Sequence, residues 1–436
     1  MKTIITKELL DGCRKHWAED LEGQRAANAI IQNGPPATAM DHKKIRNLNY
    51  AFSVDLEDTG ITDQGGSSRC WAFASLNVMR QNVIRALNLN QPNFELSQNF
   101  TYFYDQLEKC AEFLEDADRL SREDTFGGEL LDLCRCPIED NGQWYIFAKL
   151  LDRYGVVPKS VMPDTECSMD TRFVSRILGR KLRICAKEIR DTAPESRQSL
   201  KERQMADIYG ILCRFLGEPP ERFTYEYRDR EGKFHRLLDI TPVEFARQYG
   251  GMPVEEYMFI IHHPLSERPY RKTYVTRKDK DLGPGPDVML NLPIDVIKEL
   301  VIRQLQGGEQ VVMICDVGKQ SDKDGGFMDA GLYDYEKLFD TRLGMDKADA
   351  IRYKAIRGAH AMTFSGVNLD EEGRPDRWKV QNSYGMDMGV QGHYCMADNW
   401  FDEYVLSVVI RKKYASEDII RAYEQTPEVI RPSEFY

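Results

Sequence analysis

The chain has 436 residues, 42% of them apolar and 30% charged, with 59 Lys and Arg against 70 Asp and Glu for a formal charge of −11. That balance is ordinary for a globular protein of roughly two to three domains and excludes dominant disorder. The basic runs are as short as Arg411-Lys412-Lys413, so the broad basic face that neutralises phosphates is missing, which argues against nucleic acid as a partner.

Charges break every apolar run in residues 1–30, so there is no signal-peptide core, and no later segment approaches the ~20 apolar residues of a membrane span. The expectation is a cytoplasmic protein with no membrane partner. Residues 6–31 read as an amphipathic helix that breaks at Asn33-Gly34-Pro35-Pro36. A polar stretch follows, and then a helix from Cys70 to Leu87, where Leu76, Met79, Val83 and Leu87 recur at helical spacing. Further helices are predicted over 96–114 and 144–154, the latter stopped by Gly155 and Pro158. Residues 166–290 are dense in charge, helical around 196–216 and interrupted by Gly-Pro-Gly-Pro at 283–286, the texture of an inserted lobe. From about residue 291 the chain turns to β-rich runs at 310–316, 359–367, 378–382, 392–396 and 404–411. The last stretch, IRAYEQTPEVIRPSEFY, is polar and broken by proline, and reads as a tail outside the core.

Helices first and strands later indicate an α+β fold. The expected division is an N-terminal helical arm (1–45), a helical lobe (46–165), a helical insertion (166–290), a β-rich lobe (291–415) and a C-terminal tail (416–436). Ten cysteines at irregular intervals, with Cys134-Arg135-Cys136 the only close pair, are expected as free thiols. His262-His263 is isolated and no H-E-x-x-H run exists, so neither a metal nor any other cofactor is expected.

The strongest local signal is Asp63-Gln64-Gly65-Gly66-Ser67-Ser68-Arg69-Cys70-Trp71. A Gly/Ser loop runs into a helix whose first residue is a cysteine, where unpaired backbone N–H groups and the helix dipole favour a thiolate and should lower its pKa. Gln64 lies six residues earlier, within a loop's reach of the oxyanion that attack by Cys70 would create. His360, in the small-residue run Gly358-Ala359-His360-Ala361, is the candidate base. In Gln381-Asn382-Ser383-Tyr384-Gly385, Asn382 would accept the imidazole N–H and fix the ring, with Tyr384 shielding that bond.

Taken in the order Gln, Cys, His, Asn, these blocks resemble the papain superfamily. Longer blocks, among them FELSQNF, NLPID, CDVGKQSDKDGGFMDAGLYDYE and AHAMTFSGV, narrow the resemblance to the bleomycin hydrolase and aminopeptidase C family. That resemblance implies a two-lobed papain-like core, helical on one side and an antiparallel β-barrel-like lobe on the other, with a helical insertion. It implies a cysteine aminopeptidase acting on peptide substrates through a thioester, assembled as a homohexamer around a central cavity and made without a propeptide. It assigns Cys70 as nucleophile, His360 as acid/base, Asn382 as orienter and Gln64 as oxyanion donor. The window Asp140-Asn141-Gly142-Gln143-Trp144 resembles the family's D-G-G-Q-W, which makes Asn141 and Gly142 substrate-binding positions.

Three departures are visible: Ser68 in place of the usual glycine, Tyr384 in place of tryptophan, and an ending, Arg431-Pro432-Ser433-Glu434-Phe435-Tyr436, unlike the family's small apolar one. In the family the terminal carboxylate holds the substrate's amino group, a part that would fall to Tyr436. An unfilled cleft would instead permit endopeptidase action. A catalytically silent oligomeric binding protein is the other alternative.

Overall fold

The computed structural model describes residues 4–57, 59–90, 93–125, 128–276 and 287–431. The fold is α+β. Its helical side is built on Cys70–Ala86, Gln98–Arg119 and Trp144–Tyr154, each close to its predicted span, with Arg172–Asp191 and Arg197–Leu216 packed against Gln98–Arg119. Ser97 caps the second of these by accepting the N–H of Phe100 at 3.0 Å, and Gly155, at φ +70, ends the third.

The strand side is one sheet of twelve strands among the described residues. Its spatial order runs Glu428–Val429, Thr273–Val275, Met289–Asn291, Tyr257–Ile261, Val405–Arg411, Val311–Cys315, His360–Leu369, Pro375–Gln381, His393–Ala397, Phe327–Met328 and Ser321–Asp322, with Val54–Asp55 pairing beside His360–Leu369. Pairing is antiparallel through the centre and parallel at three outer junctions. One sheet face packs on the helices through Tyr257, Phe259, Ile261, Val312, Ile314 and Ala361. The other buries Met313, Met362, Phe364 and Trp378 against the helix Ile294–Gln306. Alternation along each strand thus feeds two separate cores.

Two sequence expectations need correcting. Tyr257–Ile261 and Thr273–Val275 fall inside the stretch read as a helical insertion and Met289–Asn291 straddles its end, yet all three are strands of the main sheet. Tyr257–Ile261 is buried at all five positions, so the polar alternation that marks a half-exposed strand is absent. The C-terminal stretch is not wholly a free tail. Glu417–Tyr423 is a helix burying Ile419 and Ala422, and Glu428–Val429 pairs with Tyr274 and Val275. Ile430 then buries its side chain in the core between helices and sheet. Edge pairing uses backbone groups, which a count of polar side chains does not register.

Residues 6–31, read as one helix, form two, Lys7–Glu19 and Leu21–Asn33, the second capped by Asp20 through the N–H of Gly23 at 2.7 Å. Neither buries any residue.

Candidate active site

The register of the sheet brings the distant residues together. Thr363 pairs with Gln381, and continuing that antiparallel register by one residue sets Asn382 beside Met362, diagonal to His360 on the same face. His360 Nε2 lies 2.9 Å from Asn382 Oδ1. The same oxygen accepts the Ser383 N–H at 2.8 Å, which identifies it as the carbonyl end of the amide. Nε2 must therefore carry the imidazole hydrogen, leaving Nδ1 as the basic nitrogen. Tyr384 stacks on the ring, with centroids 4.7 Å apart and planes 23° from parallel.

Cys70 opens its helix and is half-buried. Thr363 Oγ1 reaches Ala74 O at 3.5 Å, pinning the helix along the strand that begins at His360. The backbone N–H groups of Ala361, Trp71 and Cys70 itself act on the Cys70 thiol and favour its thiolate. Cys70, His360 and Asn382 thus occupy one place, between the helix start and the strand edge. The electrostatics differ from the sequence expectation, however. Burial pushes the Cys70 thiol up from its ordinary value despite those three N–H groups. Burial likewise holds His360 down to about 4, outweighing the Asn382 hydrogen bond, with Lys323 lowering it further. Both shifts favour the uncharged thiol and imidazole.

Gln64 completes the arrangement. Its Nε2 donates to Ser67 O at 2.7 Å, its Oε1 accepts from Ser383 Oγ at 2.6 Å, and its backbone N–H donates to Ser383 O at 2.9 Å. Ser383 therefore fixes which way the amide points, so that the second Nε2 hydrogen is left to donate. Gly65 has φ +58, and a Cβ there would meet Met169 O at 2.6 Å, so only glycine fits the turn. Ser68 is exposed and is not among the residues with positive φ. Its hydroxymethyl group therefore costs the loop nothing.

Sequence reasoning missed two supports. Arg69 is fully buried beneath the loop; its Nε donates to Ser67 Oγ at 3.0 Å and its Nη1 to Asp164 Oδ1 at 2.9 Å, between the rings of Phe73 and Tyr102. A lone arginine in a Gly/Ser loop leading into an apolar helix was the available signal. Ser383 was read as part of a turn. Its hydroxyl ties the Gln64 loop to the strand end that carries Asn382.

The window at 140–144 lies against Trp71, the residue that follows Cys70. A Cβ on Gly142 would stand 2.4 Å from the Trp71 indole, so glycine lets the backbone lie flat on that ring. Lys109 Nζ occupies the Asn141 carbonyl, and the Asn141 side chain turns to Glu139 at 3.1 Å. Tyr436 lies outside the described residues.

A family model described as "Peptidase C1-like family" matches residues 4–434. The chain belongs to the peptidase C1-like family. Aminopeptidase C of Listeria monocytogenes is 34% identical over 435 residues, covering 99% of this chain and 98% of that protein. Human bleomycin hydrolase is 34% identical over 394 residues, covering 87% and 86% of the two chains. The crystal structure of PepW from Lactobacillus rhamnosis HN001 superposes with a TM-score of 0.92 at 33% identity, covering 100% of this chain and 99% of that one. The peptidase is therefore a cysteine aminopeptidase of the aminopeptidase C and bleomycin hydrolase type.

Proposed function

We propose that this peptidase removes N-terminal residues from peptides through a thioester on Cys70. His360 acts as the general base. As the Cys70 sulfur attacks the scissile carbonyl carbon, its proton passes to His360 Nδ1 and the carbonyl oxygen becomes an oxyanion. The free Nε2 hydrogen of Gln64 and the Cys70 N–H are the donors for that oxyanion. Imidazolium Nδ1–H then protonates the leaving amine as the C–N bond breaks, leaving the acyl group on sulfur. A water gives its proton to His360 and attacks the thioester; the sulfur departs, regains the proton, and the acid is released. Asn382 holds the ring in the one tautomer that allows both transfers.

The observation that carries this reading is the hydrogen bond from His360 Nε2 to Asn382 Oδ1 at 2.9 Å, made beside the helix that starts at Cys70. Asn141 and Gly142, next to Trp71, are proposed to border the substrate. Ile430, next to the strand at the sheet edge, donates its N–H to Val275 O at 2.9 Å, and the residues that follow it in sequence are 431–436. We assign them the task of meeting the substrate's amino terminus.

A homo-oligomer, hexameric by family resemblance, is supported by the N-terminal helix pair, where Trp17, Leu21 and Ile31 are 49%, 64% and 84% exposed. A cytoplasmic site fits ten unpaired thiols, and no described helix is long and apolar enough to cross a membrane.

The test compares free-amine and N-acetylated aminoacyl-coumarins on the full chain, on Cys70→Ala and on a chain lacking residues 426–436. Free-amine substrates should be cleaved, acetylated ones spared, and Cys70→Ala inert, while the truncated chain should gain activity on acetylated peptides. Turnover by Cys70→Ala would end the reading.

A further inference from the structure

The connection between the helices Gly128–Arg135 and Trp144–Tyr154 carries the window at 140–144, yet it has no backbone support of its own. Among the described residues, no backbone–backbone hydrogen bond reaches residues 137–142. Two of their carbonyls are taken up by one side chain instead. Lys109, on the helix Gln98–Arg119, donates to Asp105 Oδ2 at 2.8 Å, to Glu139 O at 3.1 Å and to Asn141 O. We infer that Lys109 is a positioning residue for substrate binding: its ammonium clamps the carbonyls on either side of Asp140 and so presents the backbone edge of Gly142 to the substrate. The inference rests on the proposed placing of Asn141 and Gly142 along the substrate.

An ammonium has three hydrogens, and each one here has its own acceptor. Asp105, four residues before Lys109 on the same helix, has a side chain 2% exposed, against 17% for Lys109. Gln106 Nε2 holds the same carboxylate oxygen at 3.0 Å, which fixes the base of the clamp. Between the two clamped carbonyls, Asp140 accepts from the Thr171 hydroxyl and ties the window to the start of Arg172–Asp191. Burial raises the carboxyls of Asp105 and Asp140, and Lys109 opposes the rise in each, so one cation serves two buried acids.

The Asn141 side chain is spent on Glu139, which leaves Gly142 as the part of the window that can meet a ligand. It is half-buried, and its N–H and C=O enter no hydrogen bond with a described residue. Its backbone lies on the Trp71 indole, and Gln143 continues the edge in extended conformation, at φ −139 and ψ 173. An unpaired donor and acceptor on a fixed edge suit pairing with a peptide backbone. Lys109 itself bonds to none of Cys70, His360 and Gln64. Its loss should therefore weaken binding of the ground state and the transition state alike.

The test measures kcat and KM on a free-amine aminoacyl-coumarin, and iodoacetamide labelling of Cys70, for the parent chain, Lys109→Met, Lys109→Ala and Lys109→Met with Asp105→Asn. The double variant removes the carboxylate that the single one strands, so it serves where Lys109→Met fails to fold. KM should rise by about ten-fold, as for one or two misplaced backbone hydrogen bonds, with kcat and the labelling rate within about two-fold of the parent. Ethylammonium chloride can refill the ammonium position in Lys109→Ala and should lower its KM, where the same concentration of sodium chloride does not. A merely structural role would depress kcat and labelling along with stability and would not respond to the cation. A KM unmoved in Lys109→Met and in the double variant, or a loss carried by kcat alone, overturns the inference. Gly142→Ala, whose Cβ meets Trp71, separates the two levels. If it raises KM while the Lys109 variants do not, only the clamp fails; if it too leaves KM at the parent value, the window does not border the substrate.

Discussion

Arg69→Met tests whether the loop bearing Gln64 is held from below. The guanidinium is fully buried, and its partner Asp164 is 13% exposed in its side chain. Burial alone would raise the Asp164 carboxyl, but Arg69 and Lys159 outweigh it and hold the group below the ordinary range. Removing one partner of a buried pair costs about 3–5 kcal/mol, mostly from the charge left behind. Here Asp164 keeps Lys159 at 3.1 Å and the Ser168 hydroxyl at 2.8 Å, and methionine refills the space between Phe73 and Tyr102. The low end, about 3 kcal/mol, is therefore expected from urea unfolding. Since Ser67 Oγ loses the Arg69 Nε donor while Ser67 O still holds Gln64, kcat on an aminoacyl-coumarin should also fall, by about ten-fold, through the displaced oxyanion donor. Adding Asp164→Asn should recover part of the lost stability, because the uncompensated carboxylate is then gone. A variant within about 1 kcal/mol of the parent, or strict additivity with Asp164→Asn, would refute the reasoning.

Gln64→Ala should lower kcat by about 10²–10³ with little change in KM, the value typical of one oxyanion donor, and an equal loss in KM would point to substrate binding instead. Stability should fall as the pH drops from about 6.5 towards 4. Burial holds His360 at about 4 and His262 at about 3 in the folded chain. The unfolded chain takes up these protons first, so each ring withdraws roughly 3–5 kcal/mol once the pH is below both of its values. The slope of unfolding free energy against pH in that window should be shallower in His262→Asn by up to one proton, and an unchanged slope would show that His262 is already charged in the folded chain.

Much of the helical side was legible because its signals are local. Trp144–Tyr154 was read to its ends with the stop at Gly155 and Pro158, and Cys70–Ala86, read from one apolar stripe, ends within one residue of its predicted bound. The strands from 311 onwards were legible for their β-rich runs bounded by turns. Tyr257–Ile261 was not, because a strand covered on both faces shows a continuous apolar run with no period to separate it from a buried helix. The C-terminal strand was hidden for the opposite reason. Its placement depends on backbone pairing with Tyr274 and Val275, while its own side chains are exposed.

At the active site the same division separates identity from electrostatics. The types and order of Gln64, Cys70, His360 and Asn382 stand in the sequence, as does the helix start that favours a thiolate. The opposing effect is assembled only by the fold. His360 arrives on a strand 290 residues after the nucleophile helix begins, a separation read directly from residues 70 and 360, and Tyr384 arrives with it to cover the ring. Those arrivals bury the imidazole and part of the cysteine, and burial raises the thiol although nearby N–H groups favour its thiolate. Substrate binding changes the terms, since a carbonyl at the sulfur displaces whatever solvent remains and presents an oxygen to the Gln64 amide. The charge that the free site resists is then formed on the oxyanion and the imidazolium, each facing a fixed partner.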